Sequence, residues 1–159
     1  MAGHHLAQIN IARLKAPFDA PETAEFVANL GRINALAEAA PGFVWRPVDE
    51  PPEVPPAFED PMLVANLSVW EDLESLAAFV YRSGHRDVMR RRREWFVDTP
   101  VYMALWWVRA GHRPRESEGK ARLELLAQIG PTPEAFTFRY PFPAPGAADT
   151  PLPMPDRCA

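Results

Sequence analysis

Residues 66–96 read NLSVWEDLESLAAFVYRSGHRDVMRRRREWF, and this stretch decides the fold. Leu67 and Val69 alternate with Asn66, Ser68 and Trp70, the period-2 pattern of a strand with unlike faces. Asp72 stands where a helix cap is needed. Behind it Leu73, Leu76, Ala77, Val80 and Tyr81 recur at helical spacing, a stripe that must pack on the sheet. Gly84 interrupts the stripe, and a second helix is expected from His85 to Phe96. Together these describe a pocket between a sheet and a helix layer, with one histidine at the start of the second helix.

A helical wheel sorts that second helix. At about 100° per residue, Val88, Met89, Arg92, Trp95 and Phe96 fall within about 80° of His85. His85 and Arg92 therefore share an apolar, inward stripe. Arg90 and Glu94 point away, while Arg91 and Arg93 lie on the flanks, so the four arginines do not form one basic patch. The surface three read as a solvated face. An inward guanidinium at Arg92 needs a carboxylate, a carbonyl or an anionic ligand.

Upstream, HLAQINIARL at 5–14 is the first strand. Ala7, Ile9 and Ile11 share one face; Leu6, Gln8, Asn10 and Ala12 share the other. The plainer reading of Gln8 and Asn10 is a solvated or hydrogen-bonded sheet face, and the sharper one is a pocket lining. Asp19, Pro21 and Glu22 have the spacing of a capped helix start, and Phe26, Leu30, Ile33 and Ala37 then mark one helix face. Pro41-Gly42 ends it, and a short strand follows at 43–48. Five prolines in 49–61 remove donors and exclude a helix or a central strand, so an extended surface loop is expected. Leu63, Ala65, Leu67 and Val69 form one face of the third strand, residues 62–70; Val64, Asn66, Ser68 and Trp70 form the other.

Downstream, VYMALWWVR at 101–109 is apolar on both faces, as expected of a strand covered on both sides. A helix is expected over 117–129, with Leu123, Leu126 and Ala127 inward. One domain is expected over residues 1–140, followed by a proline-rich extended tail over 141–159. The order β-α-β-β-α-β plus a C-terminal helix is an α+β, ferredoxin-like plan. Helices on one side would leave the second sheet face to bury, with Trp45, Trp106 or Trp107, and Tyr102 supplying apolar surface. A second copy, sheet against sheet, would close it as a homodimer.

Composition narrows the function. The net charge of −4 gives no global attraction to nucleic acid or to an anionic membrane. One cysteine, Cys158, supports neither a disulfide framework nor a Cys-based metal site. No apolar run reaches membrane-spanning length and no export signal opens the chain, so a cytoplasmic location is expected. Metalloprotease, phosphate-loop, nucleophile-elbow and dinucleotide motifs are absent. His112 reads as a loop residue, and His4 with His5 is too little for a metal site.

The segments HLAQINIARL, 66–96 as quoted, LWWVRAGHRP at 105–114 and GPTPEAFTF at 130–138 resemble an uncharacterised bacterial family, a domain of unknown function. That family is similar to the dimeric α/β-barrel superfamily, which includes antibiotic-biosynthesis-type monooxygenases. The wider link rests on Val69-Trp70 through Ser83-Gly84-His85. The resemblance covers roughly Leu6 to Phe138 and implies a ferredoxin-like protomer, a dimeric α/β barrel and a pocket between sheet and helices. It also implies a range of chemistries, from cofactor-free oxygenases to haem enzymes, isomerases and proteins without known activity. Asn10 falls where haem-degrading members carry an asparagine. Their helix tryptophan falls at Phe79, and their haem-ligating histidine lies further along than His85.

The expected function is a small-molecule enzyme acting on an apolar or aromatic substrate, as a cofactor-independent monooxygenase or a cyclase or isomerase. His85 would take a proton; Arg92 and Asn10 would stabilise the resulting anion. Trp70, Tyr81, Trp95 and Trp107 would shape the cavity. No metal or cofactor is required by this reading. One alternative is a haem protein with His85 as axial ligand. The other is a non-catalytic dimeric ligand-binding protein.

Overall fold

The computed structural model describes residues 3–82, 91–98 and 101–146. Strand β1 (His4–Leu14) leads through a 3-10 turn (Pro21–Thr23) into α1 (Ala24–Ala39). Then come β2 (Phe43–Trp45), β3 (Leu63–Trp70), α2 (Leu73–Arg82) and a single turn, α3 (Arg92–Trp95). The two-residue β4 (Phe96–Val97), β5 (Met103–Arg109) and α4 (Glu116–Ile129) complete the order. The sheet runs β2-β3-β1, with β5 and β4 both on the far edge of β1, and every pairing is antiparallel. This is the α+β, ferredoxin-like plan with an added C-terminal helix.

The register fixes which side chains share a face. Gln8 lies opposite Ser68, and Asn10 opposite Asn66. On the other edge Gln8 lies opposite Leu105, and Asn10 opposite Met103. Helices α1 and α2 cover this face: Leu6, Trp70 and Leu105 are buried with Ala37, Leu73, Leu76 and Phe79. Asp72 starts α2 as expected, its Oδ1 accepting from the Ser75 amide at 2.7 Å. Gly42 turns the chain out of α1 at φ 82°, where a Cβ would meet the Ser75 hydroxyl at 2.1 Å.

The opposite face is closed within the chain. Ala7, Ile9, Val69, Ala104, Trp106 and Val108 pack under Leu123 and Leu126 of α4. Each buried Ile, Val or Leu among them contributes about 1.5–3 kcal/mol by leaving water. Gly119 lets α4 approach closely, since a Cβ there would lie 2.5 Å from Ile9 Cδ1. At the margin of this face Ile11, Trp45, Phe58, Val101 and Leu125 stay only partly buried. Of the residues assigned to it, Trp106 is sealed under α4, Tyr102 lines a cavity on the other face, and Trp107 packs beside Phe136. Trp45 is half-buried against the same core.

Other local expectations shift. No side chain caps the 3-10 turn or α1, so the Asp19–Glu22 capping box does not form. The Thr23 hydroxyl instead donates to the Pro17 carbonyl at 2.7 Å. Strand β2 stops at Trp45, after a register shift against β3. The helix expected to run to Phe96 ends one residue earlier. Phe96 is extended (φ −123°, ψ 145°) because β4 pairs with the end of β1. Strand β5 is covered on both faces, as its composition demanded, and its outer edge exchanges two 2.8 Å hydrogen bonds with Phe136.

The loop over 49–61 is pinned to α4. Glu53 accepts from the Ser117 amide (3.1 Å) and hydroxyl (2.7 Å) and pairs with Arg115 (3.1 Å). It thus satisfies one orphan backbone donor at a helix start that no local side chain caps. Past Thr137 the chain folds back, and the Trp107 indole donates to the Phe142 carbonyl at 2.8 Å.

Candidate functional site

A cavity of about 210 Å³ lies between the sheet and helices α1 and α2. Its walls are the apolar stripe of α1 (Phe26, Leu30, Ile33, Ala37) and Leu76, Phe79 and Val80 of α2. Phe43, Trp70 and Phe79 close the deep end, with Phe79 stacked on Trp70 at 5.2 Å and Phe43 edge-on to it at 5.4 Å. The floor is polar, because the even positions of β1 and β3 carry Gln8, Asn10, Asn66 and Ser68.

Those four side chains form one hydrogen-bonded row. Asn10 Nδ2 donates to Gln8 Oε1 (3.0 Å). Gln8 Nε2 donates to Asn66 Oδ1 (3.1 Å) and to Ser68 Oγ (2.7 Å). Trp70 Nε1 also donates to Ser68 Oγ, at 2.9 Å. Gln8, Ser68 and Trp70 are buried, whereas Asn66 is exposed and Asn10 half-exposed. The row thus runs from a dry interior to an open mouth.

Two guanidinium groups reach the lining, and they differ. Arg46, at the β2 edge, is paired with Glu38 at 2.6 Å. Arg92, from α3 on the opposite edge, lies over the Tyr102 ring at 4.7 Å. Among the described residues no carboxylate lies within ion-pair distance of Arg92. The described lining also contains no Asp, Glu or His, so its fixed charge is positive.

The structure brings Asn10, Arg92, Trp70 and Tyr81 together around this cavity. It does not place Trp95 or Trp107 there. Trp95 is buried beside Phe26 (5.8 Å) under the Arg91 guanidinium (4.9 Å), and Trp107 belongs to the aromatic group around Phe136. Trp95 shares a four-residue turn with Arg92, but the break to β4 directs the indole toward Phe26. His85 lies outside the described residues. Of the other arginines, Arg91 is exposed and pairs with Glu94 (2.8 Å) and Glu25. Its hydrogen bonds to Glu94 and then Glu25 raise its pKa further above the ordinary arginine value. Arg93 is exposed, and Arg90 is outside the described residues.

Gln8 was open from sequence to a pocket-lining reading beside Asn10, whereas Ser68 and Asn66 were not singled out. The available signal was the coincidence of polar residues at alternate positions on two strands that pair. His112, 2.8 Å from Glu118, lies on the opposite side of the molecule, where Glu118 also accepts from Trp106 Nε1 at 3.1 Å. Among the described residues, no group of three or more His, Cys, Asp or Glu is placed to hold a metal ion. No helix among them is long and apolar enough to cross a membrane.

The described lining offers no histidine or cysteine, and His85, the axial ligand of the haem alternative, is not among the described residues.

Among solved structures, the chain is similar to NE2512, a protein of unknown function from Nitrosomonas europaea. That match has a TM-score of 0.47 at 12% identity and covers 72% of this chain and 97% of that one. It is also similar to SnoaB, a cofactor-independent oxygenase from Streptomyces nogalater, with a TM-score of 0.45 at 16% identity, covering 69% of this chain and 95% of that one. No curated protein matches the chain. A family model described as a domain of unknown function, DUF3291, matches residues 5–151, and the chain belongs to that family.

Proposed function

We propose that the cavity is the site of an enzyme acting on an apolar or aromatic small molecule held as its anion. The observation that carries this reading is Arg92: a guanidinium without a carboxylate partner among the described residues, at the edge of an aromatic cavity floored by amides. A bound phenolate or enolate would supply the missing charge, and Asn10 beside it would orient the anionic oxygen. Trp70 and Tyr81 would hold the ring system. The reaction class that suits such an anion is oxygenation without a cofactor, or a cyclisation or isomerisation. In the oxygenation the electrons come from the substrate, because these residues provide no redox group. His85 is the proposed proton acceptor.

The test uses 2-naphthol, whose neutral and ionised forms absorb differently. The purified chain should bind it and show the naphtholate band at neutral pH, and Arg92→Ala should lose that band. Oxygen uptake with a panel of hydroxynaphthalenes then separates an oxygenase from a binding protein. A chain that binds 2-naphthol only in its neutral form overturns the anion reading.

Self-association is part of this proposal. Light scattering at twice the 17.9 kDa of one chain supports the pair, and a value at one chain removes it.

A further inference from the structure

The hydroxyl of Ser68 lies at the buried end of the cavity floor, 6% exposed and between Gln8 (4%) and Trp70 (1%). Two donors converge on its oxygen: Trp70 Nε1 at 2.9 Å and Gln8 Nε2 at 2.7 Å. An indole N–H can only donate, so the first direction is fixed. The second follows from the assigned amide orientation, in which Gln8 Nε2 also faces Asn66 Oδ1 at 3.1 Å and the Asn66 backbone carbonyl at 3.5 Å. A serine hydroxyl has two lone pairs and one hydrogen. Both lone pairs are taken, so the hydrogen is left to donate, and among the described residues nothing accepts it. A buried donor without an acceptor is expensive, which marks the place where a ligand atom belongs.

We propose that Ser68 is a specificity-determining donor that reads a neutral sp² oxygen, the carbonyl of a ketone or quinone, on an otherwise apolar ligand. The inference rests on the cavity being a ligand site, as proposed above, and adds what the deep end selects. Size limits the rest of the molecule. An apolar cavity of about 150 Å³ takes one benzene, so 210 Å³ admits a ligand of roughly two fused rings. Such a ligand would place its rings against Trp70 and Phe79 and its oxygen at Ser68.

Two probes with the same bicyclic frame test this: 1-tetralone, which has the carbonyl, and tetralin, which lacks it. Titration calorimetry on the full chain should show 1-tetralone binding about tenfold tighter. The resonance of a ¹³C-labelled carbonyl should move downfield on binding. Ser68→Ala should bring the two affinities within about twofold and abolish the resonance shift. Because that variant also strips Trp70 and Gln8 of an acceptor, Gln8→Glu serves as the second. Its carboxylate would accept the Ser68 hydrogen, so the preference for 1-tetralone should vanish while tetralin still binds. Equal affinities in the unaltered chain would overturn the role of Ser68 and leave the cavity standing as a ligand site. If neither probe binds, the role of Ser68 falls, and the anion reading is decided by 2-naphthol alone. A preference that survives in both variants also overturns the role of Ser68.

Discussion

The Arg92 guanidinium stands 4.7 Å from the centre of the Tyr102 ring, and both residues line the cavity. Stacking on an aromatic face orients a planar cation without neutralising it, so the charge stays available to a ligand. Arg92→Ala should therefore weaken binding of 2-naphthoate by about tenfold or more while leaving naphthalene binding unchanged. Arg92→Lys should recover only part of the loss, since an ammonium neither stacks nor forks. Fluorescence titrations of both ligands check this, and equal losses for the two would show that the arginine acts through packing.

Ile33 forms part of the α1 wall and is half-buried. One side of it already faces empty space, so Ile33→Ala should cost about 1–2 kcal/mol rather than the 2–5 usual for a core isoleucine. The enlarged cavity should then prefer three-ring over two-ring ligands. Denaturant unfolding and a ring-size series would read the two effects separately.

Gly119 is the contact point between α4 and the central strand. In Gly119→Ala, the new methyl would meet Ile9 Cδ1 at 2.5 Å and Cβ at 3.1 Å. Ile9 is fully buried and stiff at its branch, so overpacking of about 1–3 kcal/mol should exceed the helix-propensity gain of about 1 kcal/mol from alanine. Adding Ile9→Val should restore part of the stability. Additive losses in that double-mutant cycle would show that the helix shifts freely.

Glu116 makes the start of α4 sensitive to pH. Burial, and then the Glu53 charge, push the Glu116 carboxyl above its ordinary 4.5. A carboxyl with a raised folded-state pKa favours the native state when protonated. That contribution is complete below the unfolded value and is lost as pH rises through the folded one. Glu116→Gln should therefore stabilise the chain slightly at pH 7, by under about 0.5 kcal/mol because the side chain is largely exposed, and not at all near pH 3. Glu53→Ala should cost about 1 kcal/mol through the lost cap. Thermal melts across pH measure both.

The fold was legible where one face was apolar and the other was not. Alternation in β1 and β3 and the stripes of α1 and α2 defined the layers, and Asp72 marked a boundary. Gln8 and Asn10 showed a polar face, but residues of one strand do not reveal whether helices or water cover it. Asn66 and Ser68 became informative only through the antiparallel register, which sets them opposite Asn10 and Gln8. The position of α4 was hidden because Leu123 and Leu126 name an inward side without naming which sheet face it meets. Trp95 followed the wheel inward but met Phe26, because the helix yields to β4 one residue later.

Strand β1 has neighbours on both edges and helices over both faces, so its amides should be the last to exchange with solvent. Gln8 and Asn10 belong to that strand, and the cavity floor is therefore part of the slowest-opening unit of the molecule. A ligand held there should protect the molecule against global unfolding rather than only quieting a loop. Melting temperature then becomes a direct reading of occupancy, and a compound library can be ranked by heat alone.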